Sequence, residues 1–216
     1  MQQQQHSEAN EFLNKCTQES RGANRIPIEY QHTKEIDSFY QMSEPAMRAL
    51  SESSTEIVRQ ILTTKGRRTR VRLTTSGREP RQELAKIVKV RLRDLDIHFP
   101  KSMFDCRISI NMEINYSGDV QGELDPDKEN GKVRSARRKD RLTYVHQGMQ
   151  IDLTQVTMDK DGVKEQEHEL ELELDESLLK SETDRIQRGE PNNYVDLIRT
   201  CVDNIRVVTR MFPVRM

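Results

Sequence analysis

The sequence predicts an α+β domain built around antiparallel strands that each carry one charged face and one apolar face. Three observations predict it. Apolar residues recur at a spacing close to two from about residue 67 to about residue 175, which is the period of a half-buried strand. Helical spacing holds on both sides of that stretch. Turn signals such as Ser76-Gly77, Tyr116-Ser117-Gly118, Asn130-Gly131 and Asp161-Gly162 cut the middle into at least six strand candidates.

The elements follow in order. The opening MQQQQHSEANE is polar and led by glutamine, with nothing to bury, so residues 1–24 are expected to be a disordered tail and 25–216 the folded domain. Residues 33–62 read as helical in two pieces. Ile36, Phe39 and Tyr40 fit a short amphipathic turn, and Pro45 suits the first turn of a second helix carrying Met47, Leu50 and Ile57. The strands come next, interrupted at residues 116–135 by a Gly-, Asp- and Lys-rich stretch expected to be a surface loop. Val195, Ile198, Val202 and Ile205 predict a helix near 192–206, with a short strand at 207–210 after it.

Composition excludes several classes. A chain of 216 residues is long enough for one sizeable core, and its 33% apolar and 33% charged content is polar for a globular domain. Apolar runs are too short for a secretory leader or a membrane helix. Cys16, Cys106 and Cys201 are scattered and odd in number, which fits neither a disulfide framework nor a zinc cluster. A net charge of -1 excludes a wholesale basic nucleic-acid binder. That total hides an asymmetry: thirteen Lys/Arg against five Asp/Glu between Lys65 and Arg107, and four against eleven between Met158 and Arg185.

Within these blocks the charges alternate in phase. In HELELELD, Glu169, Glu171 and Glu173 share one face and Leu170, Leu172 and Leu174 the other, so the carboxylates stand about 7 Å apart in a row. Arg68, Arg70 and Arg72 share a face of RRTRVRL, and Lys89, Arg91 and Arg93 oppose Val88, Val90 and Leu92. Asp105, Arg107, Ser109, Asn111 and Glu113 oppose Cys106, Ile108, Ile110, Met112 and Ile114. Arg137, Lys139 and Arg141 are in phase, and Asp152 lies on the polar face of MQIDLTQV. Such faces can simply meet water outside a sandwich. Alternatively they line an interior while the apolar faces pack outward on helices. Repetition favours the interior, because rows of like charge repel. The cost reverses when cationic rows and carboxylate rows enclose a polyanion with a hard divalent metal.

The sequence resembles the fungal RNA 5'-triphosphatases, the beta subunit of the yeast-type mRNA-capping enzyme, within the triphosphate tunnel metalloenzymes. The resemblance covers roughly residues 30–210. It rests on FPKSMFDCRISINMEI, on RRKDRLTY followed by QIDLTQV, on HELELEL and on YVDLIRTCVDN. It implies an eight-stranded antiparallel barrel enclosing a hydrophilic tunnel cradled by helices. The implied enzyme removes the γ-phosphate from 5'-triphosphate RNA with Mg2+ or Mn2+. It also implies a guanylyltransferase partner, a homodimer and a nuclear location. By resemblance, Glu169, Glu171 and Glu173 are metal residues, Glu173 foremost. Lys139 and Arg141 bind the γ-phosphate with Arg137 nearby, Arg72 aligns with a phosphate-binding arginine and Lys89 with a tunnel lysine, and Arg107 stands where the family has lysine. Glu113 fits the carboxylate that orients the attacking water, and Asp152 and Asp105 fit buttresses for basic neighbours.

Family members carry a second, ExE-type carboxylate pair on a first strand, and residues 1–65 contain no such pair. The expectation is therefore a barrel lacking that strand. A longer form of the protein is the favoured source, with supply in trans and loss of catalysis as the other readings. Two rival functions are carried: a tripolyphosphatase or nucleoside triphosphatase of the same fold, and a non-catalytic subunit that binds guanylyltransferase or RNA ends. His6, His32, His98, His146 and His168 show no metal-ligand spacing, and parity places His168 on the leucine face. Cys201 lacks the phosphate loop of a cysteine phosphatase, and no Gly-rich phosphate motif occurs. The strings KGRRTRVR and SARRKDR lie in strand candidates, which argues against reading them as targeting signals.

Overall fold

The computed structural model describes residues 1–43, 46–65, 69–129, 131–160 and 162–213. Seven long strands form one antiparallel sheet: β1 (Glu29–Gln41), β2 (Arg70–Ser76), β3 (Glu83–Ile97), β4 (Cys106–Asn115), β7 (Arg137–His146), β8 (Met149–Lys160) and β9 (Val163–Leu174). Their order is β4-β3-β2-β1-β7-β8-β9, and a two-stranded ribbon, β5 (Lys128–Glu129) and β6 (Lys132–Val133), stands apart. The helices are α1 (Gln3–Ser20), α2 (Glu52–Lys65), the single turn α3 (Val120–Glu123), α4 (Glu176–Gln187) and α5 (Tyr194–Arg210). The sheet curls into a half-barrel. Among the described residues no eighth strand joins it, so β4 and β9 are its edges, but a strand, β1, does lie upstream of the α2 region, where the sequence was expected to lack one.

Alternation sets the two faces. Outward side chains pack beneath the helices in two clusters. One joins Met47, Leu50 and Val58 of the α2 region to Val71, Leu73, Val88, Val90 and Ile114. The other joins Ala9 and Leu13 of α1 to Tyr144, Leu153 and Phe212. The remaining parity is charged and faces the concave side. The β7–β8 hairpin closes on Gln147 (φ 49) and Gly148 (φ 77). Two successive positive φ values match the right-handed twist of the flanking strands, and glycine tolerates the second.

Several expectations need correction. Residues 1–24 are not a disordered tail, because α1 docks on β7, β8 and β9 with Ala9 and Leu13 buried. The Tyr144 hydroxyl donates to Asn10 at 2.8 Å, with Asn14 at 3.0 Å, and burial first, then the nearby Tyr30, pushes its phenol up to about 12. Ile36, Phe39 and Tyr40 belong to a strand, not a helix. β1 pairs with β2 and β7 along both edges, and this pairing overrides a spacing that fitted both periods. Residues 116–135 are more than a surface loop, since Tyr116, Val120 and Leu124 are core. The strand expected at 207–210 is instead the end of α5, which runs through Arg210, and α4 was not anticipated.

Arg93 leaves the row of Lys89 and Arg91. A bulge between Arg91 and Arg93 sets Arg93 opposite Ile110, on the outward face, and brings Asp94 and Asp96 inward against Ser109 and Arg107. Pro45 and Arg68 lie outside the described residues.

Truncating the α1 anchor, Leu13→Ala, is expected to cost about 2–5 kcal/mol in urea unfolding. Native-state hydrogen exchange should place the loosened amides first in α1.

Candidate active site on the concave face

Three strands present the basic row and its buttresses. On β7, Arg137, Lys139 and Arg141 project inward. Lys139 is 7% exposed and Asp37 of β1 is fully buried, and their charged groups lie 2.5 Å apart. The Thr74 hydroxyl also donates to Asp37 at 2.7 Å. Burial alone would raise the Asp37 carboxyl, but the Lys139 ammonium, the Thr74 hydroxyl and Arg72 hold it below the usual carboxylate range. Two residues along β7, Arg141 donates to Asp152 at 3.0 Å. Asp152 is fully buried and also accepts from Thr143 at 2.7 Å and Gln150 at 3.0 Å. Burial opposes the Arg141 charge, yet Asp152 first and then Glu35, Glu171 and Glu173 leave its guanidinium raised.

The acidic row lies on the edge strand β9. Glu169 accepts from Arg137 at 2.6 Å, a bond that crosses β8. Glu173 is raised from the ordinary glutamate value: desolvation contributes most, then the neighbouring charges of Glu171 and Asp152, while Lys89 and Arg141 oppose the shift. The influence of Lys89 has a geometric consequence. It stands on β3, separated from β9 by β2, β1, β7 and β8. At about 4.8 Å per strand a flat sheet would hold the two some 24 Å apart, beyond effective reach in salt water. The charged face is therefore the inside of the curl.

The opposite wall carries Glu113 on β4, 3.2 Å from Lys89 and 3.8 Å from Arg72. The concave face thus gathers Arg72, Lys89, Glu113, Arg137, Lys139, Arg141, Asp152, Glu169, Glu171 and Glu173. Two sequence candidates lie beyond this group of residues. Arg107 sits on the extension of the β3–β4 hairpin, held to Asp96 at 2.7 Å. Asp105 precedes β4, where it contacts the basic neighbour His98 at 2.7 Å and accepts from the Phe99 amide at 3.1 Å. His168 points outward onto His6, ring centroids 4.8 Å apart.

Sequence reasoning missed Asp37 and Thr74. The signal for Asp37 was the alternation Glu35, Asp37, Phe39 against Ile36, Ser38, Tyr40, hidden by assigning that stretch to a helix, and the signal for Thr74 was its place next in the row of Arg70 and Arg72.

Comparison with known proteins follows this geometry. The family described as "mRNA capping enzyme, beta chain" matches residues 1–213. The chain is 31% identical over 212 residues to the mRNA-capping enzyme subunit beta of Schizosaccharomyces pombe, covering 95% of this chain and 59% of that protein. It is 29% identical over 155 residues to the Saccharomyces cerevisiae polynucleotide 5'-triphosphatase CTL1, covering 67% of this chain and 46% of that protein. The solved structure of S. pombe Pct1 RNA triphosphatase with the Spt5 CTD superposes with a TM-score of 0.74 at 28% identity, covering 98% of this chain and 69% of that one. The chain therefore spans between about half and two thirds of the lengths of these relatives.

Proposed function

Because this chain belongs to the mRNA capping enzyme beta-chain family, we propose that it is an RNA 5'-triphosphatase. In this reading it releases the γ-phosphate of 5'-triphosphate RNA and leaves a diphosphate end for capping. One observation carries the proposal: a row of buttressed cations on β7 and a row of carboxylates on β9 stand side by side, one strand apart, on one concave surface. Lys139 and Arg141 take the non-bridging oxygens of the terminal phosphoryl group, where their charge counts most as negative charge develops. Asp37 and Asp152 fix those two side chains in advance, so little reorganisation accompanies binding. Arg137, Arg72 and Lys89 hold the inner phosphates. Glu113, between Lys89 and Arg72, orients the attacking water.

The proposal includes Mg2+ or Mn2+. Oxygen donors suit a hard cation, and the crowding that raises Glu173 is of the kind a divalent charge relieves. Among the described residues no three such groups converge on one point, so Glu171 and Glu173 supply one wall of such a site. When bound, a cation of this kind polarises a phosphoryl oxygen. A guanylyltransferase partner, a homodimer and a nuclear location belong to the same proposal.

The test is phosphate release from 5'-triphosphate RNA with Mg2+, comparing the chain with Glu171→Ala. A loss of about 100-fold or more is expected. Equal or better turnover of tripolyphosphate would favour the tripolyphosphatase alternative. A variant that changes neither release nor end binding would favour the non-catalytic subunit.

A further inference from the structure

The two walls of the concave face stand at opposite edges of the sheet, Glu113 on β4 and the carboxylate row on β9, and no described strand joins those edges. Lys89, 3.2 Å from Glu113, nonetheless comes near enough to Glu173 to act on it. Strand pairing does not explain that approach, so other contacts hold the curl shut. The reach comes from β3 and β4. β3 pairs with β2 as far as Val88 and then continues to Ile97 alongside β4. A bulge between Arg91 and Arg93 bends this arm, because an extra residue in one strand increases its local twist.

The tip of the arm lands on the segment that follows α5. The Met103 amide donates to the Phe212 carbonyl at 2.8 Å, and Ser102 forms a strand-like bridge with Pro213. The Phe104 and Phe212 rings meet edge to face, with centroids 4.8 Å apart and planes at 71°, an attractive arrangement for two aromatic quadrupoles. Gln5 of α1 donates its side-chain amide to the Met103 sulfur at 3.6 Å. Phe212 is 3% exposed and packs with Ala9, Leu13, Tyr144 and Leu153, with Leu170 of β9 against the same cluster. Core packing alone would bury Phe212 without engaging the arm. Met103, however, is 52% exposed, so the backbone bond it donates is not a by-product of burial. The arm carrying β4 is thereby tied to the elements that back β7, β8 and β9.

We propose that Phe104 and Phe212 form a clasp that fixes the distance between the Glu113 wall and the carboxylate row, which makes both of them positioning residues. Their effect reaches the chemistry through Glu113, whose placement against a phosphate held on β7 depends on how far the two edges of the sheet stand apart. The inference rests on the triphosphatase reading for that chemistry. It deepens that reading by naming what sets the geometry of the site.

The experiment places nitroxide-bearing unnatural amino acids at the exposed positions Ile110 on β4 and Lys164 on β9. Their separation in the full chain is read by electron–electron double resonance, without substrate. The parent should give one narrow distance distribution. Phe212→Ala should broaden it and lengthen it by about 5 Å, one strand spacing. Phosphate release by Phe212→Ala should show kcat about 100-fold lower, the scale expected of a small misplacement at the reacting centre. KM should change little, because Lys139 and Arg141 keep their buttresses. Phe212→Leu, which keeps an apolar filler, should restore most of both. Met103→Pro removes the amide donor while leaving the core filled, and it should lengthen the distance even where Phe212→Ala is too unstable to measure. Circular dichroism melts check that each variant folds. An unchanged distance in either folded variant, or a longer distance with full phosphate release, would overturn the clasp as a positioning device. A longer distance in the variants of a parent that releases no phosphate would instead uphold the clasp and count against the triphosphatase reading.

Discussion

Lys139→Met is expected to lower stability by about 3–5 kcal/mol, because it strands the fully buried Asp37 carboxylate without its cation. Thr74 still donates to Asp37, but one neutral hydrogen bond does not replace an ion pair in a desolvated strand. Urea unfolding at neutral pH measures the loss. The double variant Asp37→Asn, Lys139→Met removes both charges and should recover most of it, while phosphate release stays abolished. That split would separate the energetic role of the pair from its chemical role. The pH dependence has a definite sign. The folded carboxyl lies below its ordinary value, so its contribution is complete above the unfolded range near pH 4 and fades as pH falls through the lower folded value. The gap between parent and Lys139→Met should therefore narrow in acid. A Lys139→Met protein as stable as its parent at pH 7 would refute this account.

The two faces of most strands were legible because period two sorts residues without knowing what they touch. Glu169, Glu171 and Glu173 fall on one side of β9 and the leucines on the other, whatever lies beside them. Strand β1 was not legible. Ile36, Phe39 and Tyr40 are spaced three and one apart, and the pairing on both edges that makes them a strand is non-local. Losing β1 to a helix also lost Asp37, so the strongest buttress of the site vanished with the element that carries it.

Helix α1 shows a different limit. Its buried face is Gln5, Ala9, Leu13, Thr17 and Ser20, spaced for a helix but mostly polar. Thr17 and Ser20 satisfy themselves on the backbone carbonyls of Leu13 and Thr17 at 2.8 and 2.7 Å. A hydrophobicity pattern cannot register a face that tolerates burial in this way. The bulge in β3 is equally silent, since one residue out of register flips Arg93 outward with no local change of composition.

Glu173→Gln is expected to make the cation-free protein more stable and less active at once. The folded Glu173 carboxyl is raised, by desolvation first and then by Glu171 and Asp152, so ionising it costs more in the folded chain than in the unfolded one. That cost is absent below the unfolded glutamate value and grows as pH rises through the raised folded one. The neutral glutamine removes it. At pH 7 and without divalent ions, the gain should be about 0.2–1 kcal/mol, the size of a like-charge contact on one sheet face, and it should disappear near pH 4. Phosphate release should fall by about 100-fold or more. Added Mn2+ should raise the melting temperature of the parent by mass action and leave the variant nearly unmoved. If Mn2+ stabilises both proteins equally, Glu173 does not belong to the cation wall. If the variant is less stable at pH 7, the cost of an ionised Glu173, from desolvation and from Glu171 and Asp152, is not the dominant force on that edge. Repulsion that persists until a cation arrives is a cost folding alone would not keep, which is why this carboxylate row reads as a site and not as a solvated strand.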